Sequence, residues 1–260
     1  MFIPTTKEEC KKLGWNQLDI ILVSGDTYID SPYSGMAIVG QLLLQQGYKV
    51  GIIAQPDYES DKDITRLGEP KLFWGISSGL VDSMVANYTA LKKFRNSDDF
   101  TPGGQNNKRP DRATLVYCNL IRRYFKDTVP LVIGGIEASL RRTAHYDFWT
   151  NKVRGSILFD AKADLLVYGM AEKTIVELAL ALKDKTSYED IRGLCYISKE
   201  KKENYVELPT IKECQDKNDK SKFIDMFHLF YDNNDPITAK GLMQDHNGRY
   251  LIQNPPQYSM

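Results

Sequence analysis

The sequence predicts an α/β fold: a three-layer α/β/α arrangement around a mainly parallel five-stranded sheet, with an edge hairpin and a carboxyl-terminal helical extension. Two observations carry that expectation. Short apolar runs alternate with amphipathic stretches of helical length, the pattern of βαβ units with right-handed crossovers. In addition, two of the runs halt at glycine and pass straight into a polar, helix-friendly segment: Pro130-Leu-Val-Ile-Gly-Gly-Ile-Glu-Ala-Ser-Leu-Arg-Arg142 and Ala163-Asp-Leu-Leu-Val-Tyr-Gly-Met-Ala-Glu-Lys-Thr174. A few apolar residues bounded by turn residues suit a strand buried on both faces. Glycine at its end lets backbone approach a ligand, and the helix start beyond it offers free N–H groups.

The elements follow in order. Leu18 to Val23 reads as the first strand, ending at Ser24, Gly25 and Asp26. Met36 to Gln46 has apolar residues at helical spacing, with Gly47 placed to stop it. Tyr48 to Ile53 and Leu72 to Ser77 are the second and third strands, and a helix is expected from about Val81 to Lys93. The stretch 95–111 is rich in Gly, Pro, Asn and charge, a long surface loop of a length that often serves function. Leu115 to Phe125 continues as helix, Leu131 to Ile133 as the fourth strand, Leu165 to Tyr168 as the fifth, and Lys173 to Lys183 as an amphipathic helix. Gly193 to Ser198 and Asn204 to Leu208 suggest an antiparallel hairpin at the sheet edge. The register changes after Pro209: a polar stretch 212–222, a helical apolar pattern from Phe223 to Tyr231, and a turn at Asn247-Gly248 before Tyr250 to Ile252. The expected domains are therefore 1–208, the α/β body, and 209–260, a helical extension or linker toward a further domain.

Composition narrows the function classes. Thirty-four basic residues balance thirty-four acidic ones, so no global charge argues for nucleic acid or an anionic membrane. The polar amino terminus is unlike a signal peptide, and no apolar run approaches the length of a membrane span. The expectation is a soluble, cytoplasmic protein. Cys10, Cys118, Cys195 and Cys214 lie far apart, as suits reduced thiols, and neither they nor His145, His228 and His246 show metal-ligand spacing. G-x-G-x-x-G after the first strand, the P-loop and the G-x-S-x-G elbow are all missing. Neither a catalytic residue nor a metal ligand is expected in this chain.

Longer strings carry a resemblance. Gly51-Ile-Ile-Ala-Gln-Pro56, Asp82-Ser-Met-Val85, Tyr88-Thr89, Thr101-Pro-Gly-Gly104, Lys108-Arg-Pro-Asp-Arg112, Gly134-Gly-Ile-Glu-Ala-Ser-Leu-Arg-Arg142, His145-Tyr-Asp-Phe-Trp149, Ala163-Asp-Leu-Leu-Val-Tyr-Gly169 and Gln253-Asn-Pro-Pro256 resemble the YgiQ-like radical SAM proteins. The resemblance covers nearly the whole chain and implies the family's amino-terminal domain, similar to the cobalamin-binding-type Rossmann domains that precede many radical SAM barrels. It also implies a [4Fe–4S] cluster and S-adenosylmethionine in a barrel that this chain lacks, since no C-x-x-x-C-x-x-C triplet of thiolates is present. The barrel is then the expected partner, in cis or as a separate chain, beside a small-molecule ligand. Cobalamin is a candidate cofactor, held without a histidine below the cobalt because D-x-H-x-x-G is missing.

The expected ligand crevice is lined by Ser24, Gly25, Asp26, Ser77, Ser78, Gly79, Gly134, Gly135, Arg142, Gly169 and Glu172. Each has an ordinary reading beside the functional one. Gly134 and Gly135 suit a ligand-facing turn or plain strand-to-helix geometry. Asp26 and Asp30 serve equally as turn or cap residues, and Glu172 is favoured by the helix dipole alone. Glu137 and Arg141 stand four apart, as in an ordinary ion pair, whereas Arg142 has the planar fork that suits a phosphate or carboxylate. His145 reads as a proton donor or as part of a packed aromatic segment. Loop 95–111 would contact another domain or close over substrate, and the Phe223–Tyr231 stripe reads as core. The leading function is the ligand- or cofactor-binding amino-terminal domain of a radical SAM enzyme, unable to cleave S-adenosylmethionine alone. The alternatives are a stand-alone binding or regulatory module for a small anion, and a docking module that completes a partner.

Overall fold

The computed structural model describes residues 1–258, which divide into two compact units, Met1–Ala138 and the described residues from Ser139 onward. The class is α/β, as the alternating pattern predicts. In the first unit the chain runs α1 (Lys7–Lys12), β1 (Ile20–Ser24), α2 (Gly35–Gln45), β2 (Val50–Ala54), β3 (Phe73–Ser77), α3 (Ser83–Asn87), α4 (Ala113–Tyr124), β4 (Leu131–Ile133) and α5 (Gly135–Leu140). All four strands are parallel in the order β2-β1-β3-β4. β1 is buried along its whole length, which is why its sequence is an unbroken Ile-Ile-Leu-Val run rather than an alternating one. Trp74 and Phe73 of β3 are fully buried, and the Trp74 indole donates to Thr128 Oγ1 at 2.9 Å, so the large ring leaves no polar atom unmatched.

This order has a consequence for binding. The chain leaves β1 toward β2 on one side and then crosses back to place β3 on the other, so the connections diverge between the carboxyl ends of β1 and β3. That divergence is the switch point at which open α/β sheets take ligands.

The second unit contains β5 (His145–Asp147), β6 (Lys152–Arg154), α6 (Ile157–Ala161), β7 (Leu165–Val167), α7 (Glu172–Asp184), β8 (Leu194–Ser198), β9 (Val206–Leu208), α8 (Ile211–Cys214), α9 (Ser221–Asp232), β10 (Leu242–Asp245) and β11 (Tyr250–Gln253). Its strand order is β7-β8-β11-β10-β9, parallel only between β9 and β10. β5 and β6 form a separate antiparallel hairpin.

Several expectations need correction. The strands outnumber the expected five: four, all parallel, lie in one unit and a further set of five, paired mostly antiparallel, in the other. The expected edge hairpin between β8 and β9 does not form, because β10 and β11 are inserted between them. β8 is apolar throughout Leu194–Ile197 and needs a long partner; β11 supplies four paired residues, including the buried Leu251 and Ile252. The chain beyond 209 is thus a helical segment that ends in two strands. The expected Val81–Lys93 helix shrinks to α3, after which the chain to Arg112 is irregular, crossed by the isolated bridges Tyr88–Phe94 and Ser97–Gln105.

Candidate functional site

Eight of the expected ligand-lining residues come together in the first unit, on the loops that leave β1, β3 and β4. Their contacts explain the small residues. A Cβ on Gly25 would overlap the Ser78 carbonyl, and one on Gly79, whose φ is +112°, would overlap the Asp26 carboxylate. Gly135 has φ +79°, and its Cβ would lie 2.5 Å from Ser77 Oγ. The glycines therefore let three neighbouring loops interlock. Ser24 Oγ accepts from the Asp26 amide at 3.1 Å, Ser77 Oγ accepts from the Gly79 amide at 3.1 Å, and the Ser78 hydroxyl donates to Val81 O. Gly134 donates its amide to Ile76 O at 2.9 Å, tying the β4 exit to β3. Asp30, by contrast, is an exposed acceptor for Gln41 Nε2.

At the switch point lies a buried ionic triad. Arg109 is buried between Asp26, with which it forms a close ion pair, and Asp98, 3.3 Å from Nη1. Asp26 also accepts the Leu80 amide, yet burial outweighs both partners and raises its carboxyl above the usual range. Asp98 further accepts from Thr101 Oγ1 at 2.6 Å, and that hydroxyl in turn accepts from Gln55 Nε2 at 2.7 Å. Thr27 donates to Phe100 O. These bonds strap the long loop across the carboxyl ends of β1 and β2, so Ser24, Asp26, Ser77 and Ser78 are buried under the protein's own chain. Arg109 Nε and the Tyr117 hydroxyl lie in this interior without hydrogen-bond partners among the described residues, and burial raises the Tyr117 ionisation strongly. The local signal for Arg109 was present in Lys108-Arg-Pro-Asp-Arg112, but nothing local says that its second residue turns inward.

Glu137 is 2% exposed. Its carboxylate accepts from the Ser83 amide at 2.9 Å, the Ser83 hydroxyl at 2.5 Å and the Thr114 amide at 3.0 Å. One anion thus meets the free N–H groups at the starts of both α3 and α4.

The remaining expected residues belong to the second unit. Gly169, φ +72°, and the exposed Met170 carry the chain out of β7 to Glu172 at the start of α7. Beside them, Arg142 is buried between two rings, 4.4 Å from the Tyr168 centroid and 4.3 Å from that of Phe230. Its fork donates to Gln253 Oε1, Ser139 O and Asn234 Oδ1, so it ties the carboxyl-terminal segment to the end of β7. Asn254 completes that tie: its amide group donates to Glu189 O and Ile191 O, while its own oxygens accept from the Tyr205 and Tyr168 hydroxyls.

The thiols occupy four elements, α1, α4, β8 and α8, all buried and outside any disulfide, with Cys195 pushed up to about 12 and Cys214 to about 11 by burial. No group of three potential metal ligands occurs among the described residues, so this donor set does not fit a [4Fe–4S] cluster. Burial holds His145 and His246 near 4, hence neutral at physiological pH. His246, in the β10–β11 turn, stacks on Phe159 with 4.4 Å between centroids, and His145 sits in the β5–β6 hairpin; neither is on the loops that leave β1, β3 and β4. No helix among the described residues is long and apolar enough to cross a membrane.

Comparison with known proteins places these features. Residues 2–260 match the sequence model of the family described as Radical SAM N-terminal. A UPF0313 protein of Fusobacterium nucleatum subsp. nucleatum is 61% identical over 259 residues, which cover 99% of this chain and 45% of that protein. A UPF0313 protein of Thermotoga petrophila is 54% identical over 260 residues, again 99% of this chain and 45% of the relative. The chain therefore spans less than half the length of these curated relatives. Among solved structures, the radical S-adenosylmethionine methyltransferase TsrM from Kitasatospora setae, solved with cobalamin and a [4Fe–4S] cluster bound, is 20% identical with a TM-score of 0.46, over 68% of this chain and 26% of that one.

Proposed function

The chain belongs to the radical SAM N-terminal family, and from that premise we propose that it is the ligand- or cofactor-binding domain of a radical SAM enzyme whose cluster is held by another part of the longer polypeptide. A [4Fe–4S] cluster with an open iron would supply there the electron that cleaves S-adenosylmethionine to methionine and a deoxyadenosyl radical. The role left to this chain is to receive and orient a ligand. The observation that carries this reading is the parallel order β2-β1-β3-β4, which opens its switch point between loops 24–26 and 77–79. Those loops, with 134–135, are the proposed binding edge, and the strap held by Arg109 is the element that would move aside for a ligand. Cobalamin, if it is that ligand, would be held by backbone and hydroxyl groups and not through cobalt–histidine ligation.

Anaerobic reconstitution with iron and sulfide tests the division of labour. The 260-residue chain should show neither the broad cluster absorbance near 400 nm nor reductive cleavage of S-adenosylmethionine. The full-length F. nucleatum relative should show both. A cluster assembled on this chain alone would overturn the reading. Retention of cobalamin by the chain on a desalting column tests the cofactor separately.

A further inference from the structure

Helix α9 presents two apolar faces, and the fold accounts for only one. Met226, with Phe223, Leu229 and Phe230, packs on the core formed by Ala144, Leu208, Ile211, Cys214 and Leu242. The adjoining face carries Ile224, Phe227 and Tyr231, which are 52%, 52% and 68% exposed. Their spacing of three and four residues aligns them as one stripe along the helix. The rings of Phe227 and Tyr231 stack at 6.4 Å and 24°, giving a preformed aromatic surface. Past the helix end Ile237 is 82% exposed, on a turn held by Asp235 Oδ1, which accepts from the Ile237 and Thr238 amides.

A single side chain links this surface to the segment after β11. Arg192 donates through Nη2 to Pro236 O at 2.5 Å and through Nε to Pro256 O at 2.9 Å, and its guanidinium lies 4.2 Å from the centroid of Tyr258. Polypeptide continuing beyond Tyr258 would therefore start beside Ile237. Relatives of which this chain covers 45% have the length of a further domain to place. From the stripe, the Arg192 tether and that missing length together we infer that Ile224, Phe227, Tyr231 and Ile237 form the docking face for the downstream domain of the same polypeptide. The inference rests on the proposed radical SAM architecture. It assigns the stripe that sequence reading gave wholly to the core: half of it is core, and half is interface. Exposed aromatic residues in contiguous contact are the common composition of such anchors. Because Arg192 fixes both the turn and the exit, the downstream domain needs little linker to reach the stripe, which favours contact in cis over recruitment of another molecule.

Site-specific photocrosslinking in the full-length polypeptide tests this. The substitution Phe227→p-benzoylphenylalanine, at a half-exposed position, leaves the buried face of α9 intact. The expected result is an intramolecular crosslink to peptides from beyond residue 260, lost when Ile224→Asp and Tyr231→Asp are added. A crosslink confined to a second copy would overturn the proposal in favour of a dimer face, and absence of any crosslink would overturn it outright. Cluster loading and S-adenosylmethionine cleavage of the same preparation separate the two ideas. A competent enzyme without the crosslink removes only the docking face, whereas a crosslinked protein that binds no cluster removes only the functional reading.

Discussion

At the scale of single residues, the two buried carboxylates at the strand ends do opposite things. Glu137 is satisfied: two helix-start amides and a hydroxyl point at it, and charge near a helix amino terminus is favourable. Asp26 is compromised: even with Arg109 and the Leu80 amide beside it, burial leaves its charged form disfavoured. The first arrangement is a structural clamp, the second a joint that can be loosened at modest cost. Glu137→Ala should therefore be severe. It leaves the Ser83 and Thr114 amides without their acceptor, at about 1–3 kcal/mol for each orphaned donor. Urea unfolding should show the midpoint moving sharply down, with Glu137→Gln intermediate because it keeps the shape and loses the charge. An unshifted midpoint for the alanine variant would mean that α3 and α4 are capped by something else. The sequence showed Glu137 only as the fourth residue of Gly-Gly-Ile-Glu, where helical spacing suggests an ordinary ion pair with Arg141. Burial could not be read there, because its cause is the arrival of two helices more than twenty residues away in sequence.

At the scale of elements, local signals proved legible and pairings between distant segments did not. Strands β1 to β4 and β7 were readable as short apolar runs, and α7 and α9 as amphipathic periods. The turn at Asn247-Gly248 was readable too: φ is +58° and +87°, the left-handed pair that a tight hairpin demands. What the sequence concealed was the hairpin's place. Nearness in the chain suggested β8 beside β9, yet the seven residues between them close no tight turn, and the β10–β11 hairpin fills the gap. Since that hairpin sits between β8 and β9, its turn should matter more than an ordinary surface loop. Gly248→Val would put a β-branched residue in the left-handed region, at a cost of roughly 1–2 kcal/mol. The check is thermal unfolding together with hydrogen exchange, where the amides of β8 and β10 should lose protection together. Loss confined to residues 246–249 would show that the insertion does not bind the unit's sheet into one cooperative element.

At the scale of the whole molecule, the buried titratable groups set a pH window. His145 and His246 are held near 4 in the folded chain by burial, against about 6.5 when unfolded. Between those values the unfolded chain binds protons that the folded chain refuses, so stability is fully present above pH 6.5 and falls as pH drops toward 4. Complete loss of that preference is worth about 3 kcal/mol per imidazole at most. Asp26 opposes this trend: its raised carboxyl takes up a proton more readily folded than unfolded, so its contribution is lost as pH rises through its folded value. Two imidazoles against one carboxyl leave a net loss on acidification. Because both histidines lie in the residues 139–260 unit and Asp26 in the other, the two units should respond to acid in opposite senses. Hydrogen exchange at pH 7 and pH 5 separates them. Amides of β8, β10 and β11 should exchange more readily at the lower pH, after correction for the intrinsic rate, while those of β1 and β3 hold or gain protection. His246→Phe keeps a ring to stack on Phe159 and removes one titrating group, so it should flatten the acid response of the second unit by about one proton. If β10 protection is equally pH-sensitive in that variant, the imidazole is already solvated in the native fold, and its burial against Phe159 is not what sets the window.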